Sequence, residues 1–258
     1  MTVDIFTEFR SEDITDAMLD DAARLFSEQY GIWGVHPPNR KSGKPGTRIR
    51  MSASQLRSQC LPEGARCSYV SATVDGTLAG HAFACRWDYK NMQVCWVTQL
   101  VVHRDHRQRR LATRIIEKVR KTEDEIFGII SAHPAACMAM SKACADTSFP
   151  HFRHPSAPEQ VAIMTASPIA HIREAELRGK LFVPADVHTG LHSGVDSNFF
   201  VDHEEPFAAL AWLEWERLWP LGALPDGHEY LLVFTCRSSR LERAKFLLEP
   251  RLKMPSFT

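Results

Sequence analysis

An apolar segment that runs directly into a basic one constrains this chain more than any other feature of its sequence. Residues 93–102, QVCWVTQLVV, are rich in valine and apolar at most positions, which is typical of a central strand covered on both faces. The next fourteen residues, HRDHRQRRLATRII (103–116), include five arginines. Leu111, Ile115 and Val119 share one helical face. The sequence therefore predicts a buried strand, a tight basic turn and then a helix.

The basic turn is predicted to bind an anion. The first N–H groups of a helix lack intrahelical partners, and the helix dipole is positive at that end. Arginine side chains add bidentate donors for phosphate oxygens. The alternative is a solvated basic helix start without a ligand. The phosphate loop GxxxxGK[ST] and the dinucleotide fingerprint GxGxxG are both missing from the sequence, so a pyrophosphate at the mouth of a sheet is the favoured ligand.

The remaining segments up to residue 147 predict alternating strands and helices. VDIFTEF alternates as a strand does, and Thr15 can cap a helix over AMLDDAARLFSEQY. Asp75-Gly76 lies between two alternating runs, which is the pattern of a β-hairpin. FGIISA (127–132) is predicted as a second buried strand and Pro134 to Cys144 as a short helix. A strand, a turn, a helix and a strand in this order imply a parallel pair with a right-handed crossover.

The pattern after residue 148 is weaker. VAIMTA is predicted as a strand, IREAELRGKL as a polar helix and EYLLVFTCR as a strand, with a Gly/Asp-rich loop and a Trp-rich helix, PFAALAWLEWERLW, between the last two. The tryptophans of that helix, Trp212, Trp215 and Trp219, are expected to be structural. Phe199 and Phe200 are candidates for the lining of a substrate pocket.

Composition excludes several classes of protein. The counts of Lys+Arg and Asp+Glu are equal, 31 each, which argues against a nucleic-acid binder with a broad basic face. No apolar stretch approaches the roughly 18 residues of a membrane helix, and MTVDIFTEFRSED lacks the pattern of a signal peptide. The seven cysteines form no CxxC pair, which indicates buried, reduced thiols and no metal site. A cytoplasmic protein without a membrane partner is expected.

The basic turn resembles the coenzyme A pyrophosphate loop of the GNAT superfamily of N-acetyltransferases. The superfamily motif Q/R-x-x-G-x-G/A here reads Arg107-Gln108-Arg109-Arg110-Leu111-Ala112, and TQLVVHRDHRQRRLATRII is similar to the superfamily line LxVxxxxRxxGLAxxLL. The resemblance covers roughly residues 3–147. It implies the α/β GNAT (acyl-CoA N-acyltransferase) fold, a mixed and mostly antiparallel sheet flanked by helices, with an elaborated C-terminal part.

The resemblance also implies a domain layout and a coenzyme site. Residues 1–258 would form a single GNAT-like domain, with an acetyl-CoA-binding core (1–147), an elaboration that shapes the acceptor pocket (148–228) and a final strand region (229–237). Acetyl-CoA is the implied co-substrate. The main chain of the strand would face the pantetheine arm, the basic loop would hold the pyrophosphate, and the end of the fifth strand would border the coenzyme. The residues so implied are Leu100, Val101, Val102, Arg107, Gln108, Arg109, Arg110, Leu111, Ala112, Ser131 and His133.

The sequence departs from the superfamily pattern at three places. Arg110 replaces the middle glycine of the loop. Thr98 and Gln99 stand where many members carry a carboxylate that acts as general base, and Met140 stands where many carry a tyrosine that protonates the leaving thiolate. A histidine is expected to replace the missing base. The candidates for catalysis are Asp202 and His203, which follow the apolar NFFV, together with the rival bases His81 and His103.

The function expected from these features is acetyl-CoA-dependent N-acetylation of an amine of a small molecule. Nucleic acid is not expected as a partner, and the protein is expected to be a monomer or a homodimer. The alternative is a catalytically altered GNAT-fold protein that binds acyl-CoA or another small ligand without N-acetylation, or that performs a different histidine-assisted reaction.

Overall fold

The computed structural model describes residues 4–37, 43–144, 154–215 and 219–236. The described strands are β1 (Asp4–Arg10), β2 (Arg66–Val74), β3 (Thr77–Tyr89), β4 (Met92–Val102), β5 (Asp124–Ser131), β6 (Glu176–Arg178), β7 (Gly194–Asp196) and β8 (His228–Thr235). The described α-helices are α1 (Asp16–Gln29), α2 (Ala53–Cys60), α3 (Leu111–Val119), α4 (Pro134–Cys144), α5 (Ala157–Thr165), α6 (Ala170–Arg173) and α7 (Glu204–Trp215). Short 3-10 helices cover Ser11–Asp13, Arg104–His106 and Pro184–Thr189.

These strands form one sheet in the order β1-β2-β3-β4-β5-β8-β7-β6. Every neighbouring pair is antiparallel except β4 and β5, which are parallel and joined through α3. A parallel pair needs a crossover of this kind, because its strands run in the same direction. The predicted mixed, mostly antiparallel sheet flanked by helices is confirmed.

β4 carries a bulge at Thr98. Gln99 pairs with Phe83 of β3 and Val97 pairs with the next residue, Ala84, so Thr98 is the extra residue. On the other side of β4, the parallel pairing with β5 ends at Val97 and Ile129. A bulge bends and twists the strand that carries it. The last residues of β4 therefore stay paired with β3 while they separate from β5, and a gap opens between β4 and β5.

Helices cover both faces of the sheet. α3 and α4 pack on one face over a core that includes Val97, Ile115 and Met140. The opposite face packs against α1, α2 and the α5–α6 region. Met140 is fully buried. It occupies the position at which the superfamily pattern expects a tyrosine, and its thioether has no proton to donate.

A buried ion pair holds the crossover helix in place. Arg86 of β3 donates from Nε to Asp124 Oδ1 at 2.9 Å and from Nη2 to Asp124 Oδ2 at 3.0 Å. Arg86 Nη2 also donates to the carbonyl of Val119, at the end of α3, at 2.5 Å. A bidentate pair of this kind has a defined geometry, so it fixes the position of α3 relative to the sheet. The basic loop leads directly into α3, and its position is fixed at the same time.

The chain after residue 154 differs from the prediction in three elements. VAIMTA does not form a strand; it belongs to α5, whose first turn has a capping box between Ser156 and Glu159. A short apolar run fits a buried helix as well as a strand. The polar helix predicted over IREAELRGKL is only the four residues of α6, followed by the edge strand β6, and β7 was not predicted. Strands of three residues are too short to show a pattern. The predicted final strand ends at Thr235, and position 237 lies outside the described residues.

The cysteines and Trp219 have packing roles, whereas the prediction that Trp212 is structural is wrong, because its side chain is exposed. All seven cysteines are buried and unbridged. Burial raises the pKa of the Cys137 thiol to about 12, so this group stays protonated. Trp212 is exposed on α7, the side chain of Trp215 lies outside the described residues, and Trp219 packs edge-on against Tyr230. No helix in the described ranges has the length and apolar character needed to cross a membrane.

Candidate functional site

The basic loop between β4 and α3 has an unusual backbone. Arg110, the last residue before α3, has φ 62° and ψ 12°, and Gln108 has φ 58°. Both lie in the left-handed region, which costs a residue with a Cβ roughly 1–2 kcal/mol and which glycine adopts freely. Arg110 stands at the motif's glycine position. It therefore keeps the conformation that the glycine would supply, and the loop is not closed by the substitution.

The start of α3 leaves backbone donors free. The first intrahelical bond runs from the N–H of Arg114 to the carbonyl of Arg110 at 3.0 Å. Arg110 makes no side-chain cap, so the N–H groups of Leu111 and Ala112 precede the hydrogen-bonded part of the helix. Arg109 and Arg110 are exposed, and neither forms an ion pair with another described residue. The helix start can therefore accept an anion.

Arg107 is not free in the same way. Its Nε donates to the carbonyl of Val102 at 3.1 Å, and its Nη2 donates to the carbonyl of Gln29 at 2.5 Å. Its Nη1 forms an ion pair with Glu205. Arg107 thus ties together the end of β4, the end of α1 and the start of α7. Arg107, which the sequence predicts to bind the pyrophosphate, is therefore used in contacts within the protein in this conformation.

His133 and Ser131 border the other side of the gap, at the end of β5. Ser131 Oγ accepts from the backbone N–H of His133 at 3.1 Å, and His133 Nδ1 accepts from that of Ala135 at 3.1 Å. An accepting Nδ1 places the proton of a neutral imidazole on Nε2, which lies 3.7 Å from Glu205 Oε1. The Glu205 carboxylate thus sits between His133 and Arg107. These two groups, His133 first, lower its pKa to about 2.

One protein family matches the part of the chain that contains this loop and gap. The sequence model described as the Acetyltransferase (GNAT) family matches residues 19–136, which run from α1 through the basic loop to the start of α4. The match covers a little under half of the chain, and the sheet described above has the layout of the GNAT fold. The family is one of acyltransferases, and the matched part contains the β4 bulge, the basic loop and the end of β5. A search of curated proteins found no match.

Several solved GNAT structures are similar to this chain at low identity and low TM-score. ElaA from Escherichia coli is 9% identical, with a TM-score of 0.39, over 60% of this chain and 95% of that one. An aminoglycoside acetyltransferase from an uncultured soil metagenomic sample, solved with sisomicin, is 12% identical, with a TM-score of 0.38, over 59% of this chain and 95% of that one. The ribosomal-protein-S18-alanine N-acetyltransferase of E. coli is 14% identical, with a TM-score of 0.34, over 58% and 85%.

His81 lies inside the GNAT core. Its side chain is fully buried between Tyr69 and Phe83, and Nε2 is 2.9 Å from Gln99 Oε1. Gln99 Nε2 in turn contacts Met51 Sδ at 3.4 Å, so Gln99 Oε1 is the acceptor and His81 the donor. Burial lowers the pKa of His81 to about 4. A neutral imidazole without access to solvent cannot reach a substrate, and this conformation does not support His81 as the base.

His103 begins the basic loop. Its backbone N–H donates to the carbonyl of Ala79 at 2.8 Å, and Nδ1 accepts from the backbone N–H of Asp105 at 3.3 Å. The imidazole is partly exposed and lies 5.7 Å from the ring of His106. These contacts place His103 where β4 ends and the basic loop begins, several residues after the bulge at Thr98.

The segment 199–203 of the elaboration lies beside the chain that follows α1. The N–H of Gly34 donates to the carbonyl of Phe200 at 2.8 Å, and the N–H of Asp202 donates to that of Ile32 at 2.9 Å. Asp202 Oδ1 accepts from the backbone N–H of Glu204 at 3.0 Å, at the start of α7. His203 is buried against Phe207. Asp202 therefore caps a helix, while His203 faces a small pocket.

Phe199 and Tyr30 extend the same wall. The Tyr30 ring stacks on Phe26 of α1 at 4.3 Å and lies 6.0 Å from the ring of Phe199, which also meets Trp33 edge-on at 5.4 Å. This aromatic cluster covers the α1 face of the sheet next to the gap. Phe199 therefore remains a candidate for the lining of a substrate pocket.

Glu229 is the residue that the sequence did not indicate. It is the second residue of β8, and its neighbour Tyr230 pairs with Ser131, the last residue of β5. Burial of the carboxyl group raises its pKa, and the Ser197 hydroxyl and the Ala132 N–H nearby partly offset that rise. Strand alternation puts Glu229 on the same face as Leu231 and Val233, which is the α1 face. The residue keeps partial exposure.

The sequence contains Glu229 at the start of a predicted strand, but this position alone does not indicate a site. EYLLVFTCR was predicted as a strand that begins with a glutamate. The sequence does not show which strand this segment pairs with. Only the pairing of β5 with β8 places Glu229 beside the end of β5. Among the described residues no group of three or more His, Cys, Asp or Glu side chains could hold a metal ion.

Proposed function

We propose that this GNAT protein transfers an acetyl group from acetyl-CoA to an amine of a small molecule. The observation that carries the proposal is the gap between β4 and β5, which opens after the Val97–Ile129 pair. The basic loop, in which Gln108 and Arg110 have positive φ, lies at the end of this gap. The gap offers an unpaired strand edge, and the loop offers free backbone donors.

The residues around the gap suit the coenzyme. The backbone N–H groups of residues 108–112 and the side chains of Arg109 and Arg110 would hold its pyrophosphate. The main chain of Leu100, Val101 and Val102 would face the pantetheine arm, with Ser131 and His133 on the opposite edge. Bound acetyl-CoA supplies the acetyl group as an activated thioester.

The elaboration, 148–228, would shape the acceptor side of the single domain. Segment 199–203 lies against residues 31–34 on the α1 face, which is the face toward which Glu229 points. An acceptor amine that enters from this face would meet the open end of the gap.

Glu229 is the base that fits this arrangement best. An attacking amine must be neutral, so a group near the thioester has to take up the proton of the ammonium form. A carboxylate with a raised pKa is suited to accept that proton near neutral pH. Glu229 would replace the carboxylate that Thr98 and Gln99 do not provide. His203 is the second candidate, acting through water because its side chain is buried.

The test combines binding with turnover. Acetyl-CoA should bind with micromolar affinity by calorimetry, and one or more amines from a panel should release CoA thiol together with an acetylated product detected by mass spectrometry. Glu229→Gln should lower kcat by about 10²- to 10⁴-fold without loss of acetyl-CoA binding. Glu63→Gln, an exposed carboxylate elsewhere, is the matched control.

The pH profile adds a second criterion. The wild-type rate should rise with pH as Glu229 loses its proton, with a midpoint above the value of about 4.3 for an ordinary glutamate, because burial raises the pKa of Glu229. A Glu229→Gln variant as fast as the wild type would exclude Glu229 as the base.

Binding without transfer is the second candidate function. The observation that favours it is the buried thioether of Met140, which has no proton to donate to a leaving thiolate. For a binding protein, acetyl-CoA or another acyl-CoA would bind, and no amine in the panel would release thiol.

A further inference from the structure

A small pocket lies beside the aromatic cluster of Tyr30, Trp33 and Phe199. Its volume is about 260 Å³, and it is bounded by the chain at Gly34–Val35, by the segment from Phe200 to Glu204, by Phe207 of α7 and by Asp226. Two of its walls are aromatic, because Phe200 and Phe207 both face it. The pocket is large enough for the end of a small organic molecule.

The charged groups of this pocket are all acidic. Asp202, Glu204 and Asp226 line it, and no Lys or Arg side chain is among its described lining residues. Asp202 is partly used, since one of its oxygens caps α7. Glu204 and Asp226 are exposed at the rim. A pocket of this composition attracts a cation, and aromatic faces add to that attraction.

His203 supplies an independent indication of a ligand. Its side chain is only 4% exposed, and neither ring nitrogen has a hydrogen-bond partner among the described residues. The nearest carboxylate oxygen, Asp226 Oδ1, is 3.7 Å from Nδ1, which is beyond hydrogen-bonding distance. Buried polar atoms normally have partners. A donor group in the pocket would complete this imidazole.

The protonation of His203 indicates which kind of ligand fits. Burial lowers its pKa, although the charges of Asp226 and Asp202 oppose that effect. A neutral imidazole has one N–H and one lone pair. With the proton at Nδ1, next to Asp226, the Nε2 atom is free to accept a hydrogen bond. An ammonium group can donate to Nε2 and to a rim carboxylate at the same time.

The pocket is close to the proposed base along the chain. Asp226 precedes Glu229 by three residues, so their Cα atoms are at most about 11 Å apart. The segment that carries His203 also forms the wall beside residues 31–34. One small molecule can therefore extend from this pocket to the gap.

We infer that the acceptor is a diamine or polyamine, whose second, protonated amino group binds in the pocket of His203, Glu204 and Asp226. This inference rests on the proposed function: one amine is acetylated at the gap, while the other remains charged and anchors the molecule. Phe200 and Phe207 would contact the methylene groups between the two.

The experiment compares probes that differ only in the second charge. 1,4-Diaminobutane and n-butylamine are titrated into the full-length protein by calorimetry and then used as acceptors with acetyl-CoA. The diamine should bind at least tenfold more tightly and have the lower KM. Asp226→Asn and Glu204→Gln, at exposed positions that should not affect folding, should raise KM for the diamine about tenfold each and leave KM for the monoamine and kcat unchanged.

Controls separate this inference from the proposed function. Glu63→Gln should behave as the wild type with both amines. His203→Leu should weaken binding of the diamine. His203→Asn should recover part of that binding, because the amide oxygen can accept a hydrogen bond. Equal affinity for both amines, or no effect of Asp226→Asn and Glu204→Gln, would overturn the second-amine pocket even if acetylation occurs. Tight diamine binding without thiol release would support the pocket while the proposed transfer fails.

Discussion

The guanidinium group of Arg107 and the carboxylate of Glu205 form an ion pair that joins the basic loop after β4 to the first turn of α7. The same carboxylate faces His133, at the end of β5. Three segments that are far apart in the sequence therefore meet at one anion, at the open end of the β4–β5 gap. This arrangement distinguishes the arginines of the loop by role.

Arg107 and Arg109 should respond differently to substitution by alanine. Arg107→Ala removes two bonds to backbone carbonyls and should lower the free energy of unfolding by at least about 1.5 kcal/mol, the contribution of one charged hydrogen bond. Arg109→Ala should change stability by less than about 0.5 kcal/mol and weaken acetyl-CoA binding about tenfold. Urea unfolding and calorimetry measure the two effects. The reverse assignment would contradict the structural role of Arg107.

Glu205→Gln should strengthen coenzyme binding. The neutral amide no longer pairs with the guanidinium of Arg107, which is then available to an incoming phosphate. The Glu205 side chain is 59% exposed, so the ion pair itself contributes less than about 1 kcal/mol. The dissociation constant for acetyl-CoA should fall about two- to fivefold, the equivalent of 0.5–1 kcal/mol. Glu204→Gln, at the neighbouring position, is the control and should leave it unchanged. Weaker binding in Glu205→Gln would show that the carboxylate orders the loop instead of competing with the ligand.

Arg110→Gly should stabilise the protein. Glycine adopts positive φ without the steric strain of a Cβ atom, but it has more conformational entropy in the unfolded chain. The first effect is the larger, and we expect the free energy of unfolding to rise by about 0.5–1 kcal/mol. Acetyl-CoA binding should persist, because the backbone N–H groups are retained. Arg109→Gly is the matched control: Arg109 is not among the residues with positive φ, so glycine there should be destabilising. Thermal unfolding of both variants decides, and a loss of stability in Arg110→Gly would refute the strain at this position.

His81 should make stability depend on pH. Its pKa is lowered to about 4 by burial, below the value of about 6.5 in the unfolded chain. A group with a depressed folded pKa contributes stability that is complete above pH 6.5 and is lost as the pH falls toward 4. The loss attributable to His81 is up to about 3 kcal/mol over this interval. His81→Phe should be less sensitive to pH than the wild type in urea unfolding at pH 7 and pH 4.5, whatever its stability at pH 7. Equal sensitivity would mean that His81 does not titrate as a buried group.

Much of the fold could be predicted from local patterns. The valine-rich run of β4, the amphipathic period of α3 and the Asp75-Gly76 turn each involve neighbours in the chain, whose preferences do not depend on distant contacts. The basic loop is likewise visible as a short motif. The elements after residue 154 were not predictable in the same way, because α5 takes its form from packing against the sheet and β6 from pairing with β7.

The candidate site was predictable only where it is contiguous. The sequence by itself determined the strand, the basic loop and the helix start, because a helix N-terminus is an anion site whatever surrounds it. Only the tertiary structure decided that Arg107 is a tie between β4, α1 and α7, that His81 is enclosed, and that Glu229 stands beside the end of β5. Each of these depends on which strands pair and on where α1 and α7 pack. Such contacts join residues about a hundred positions apart, and no local periodicity records them.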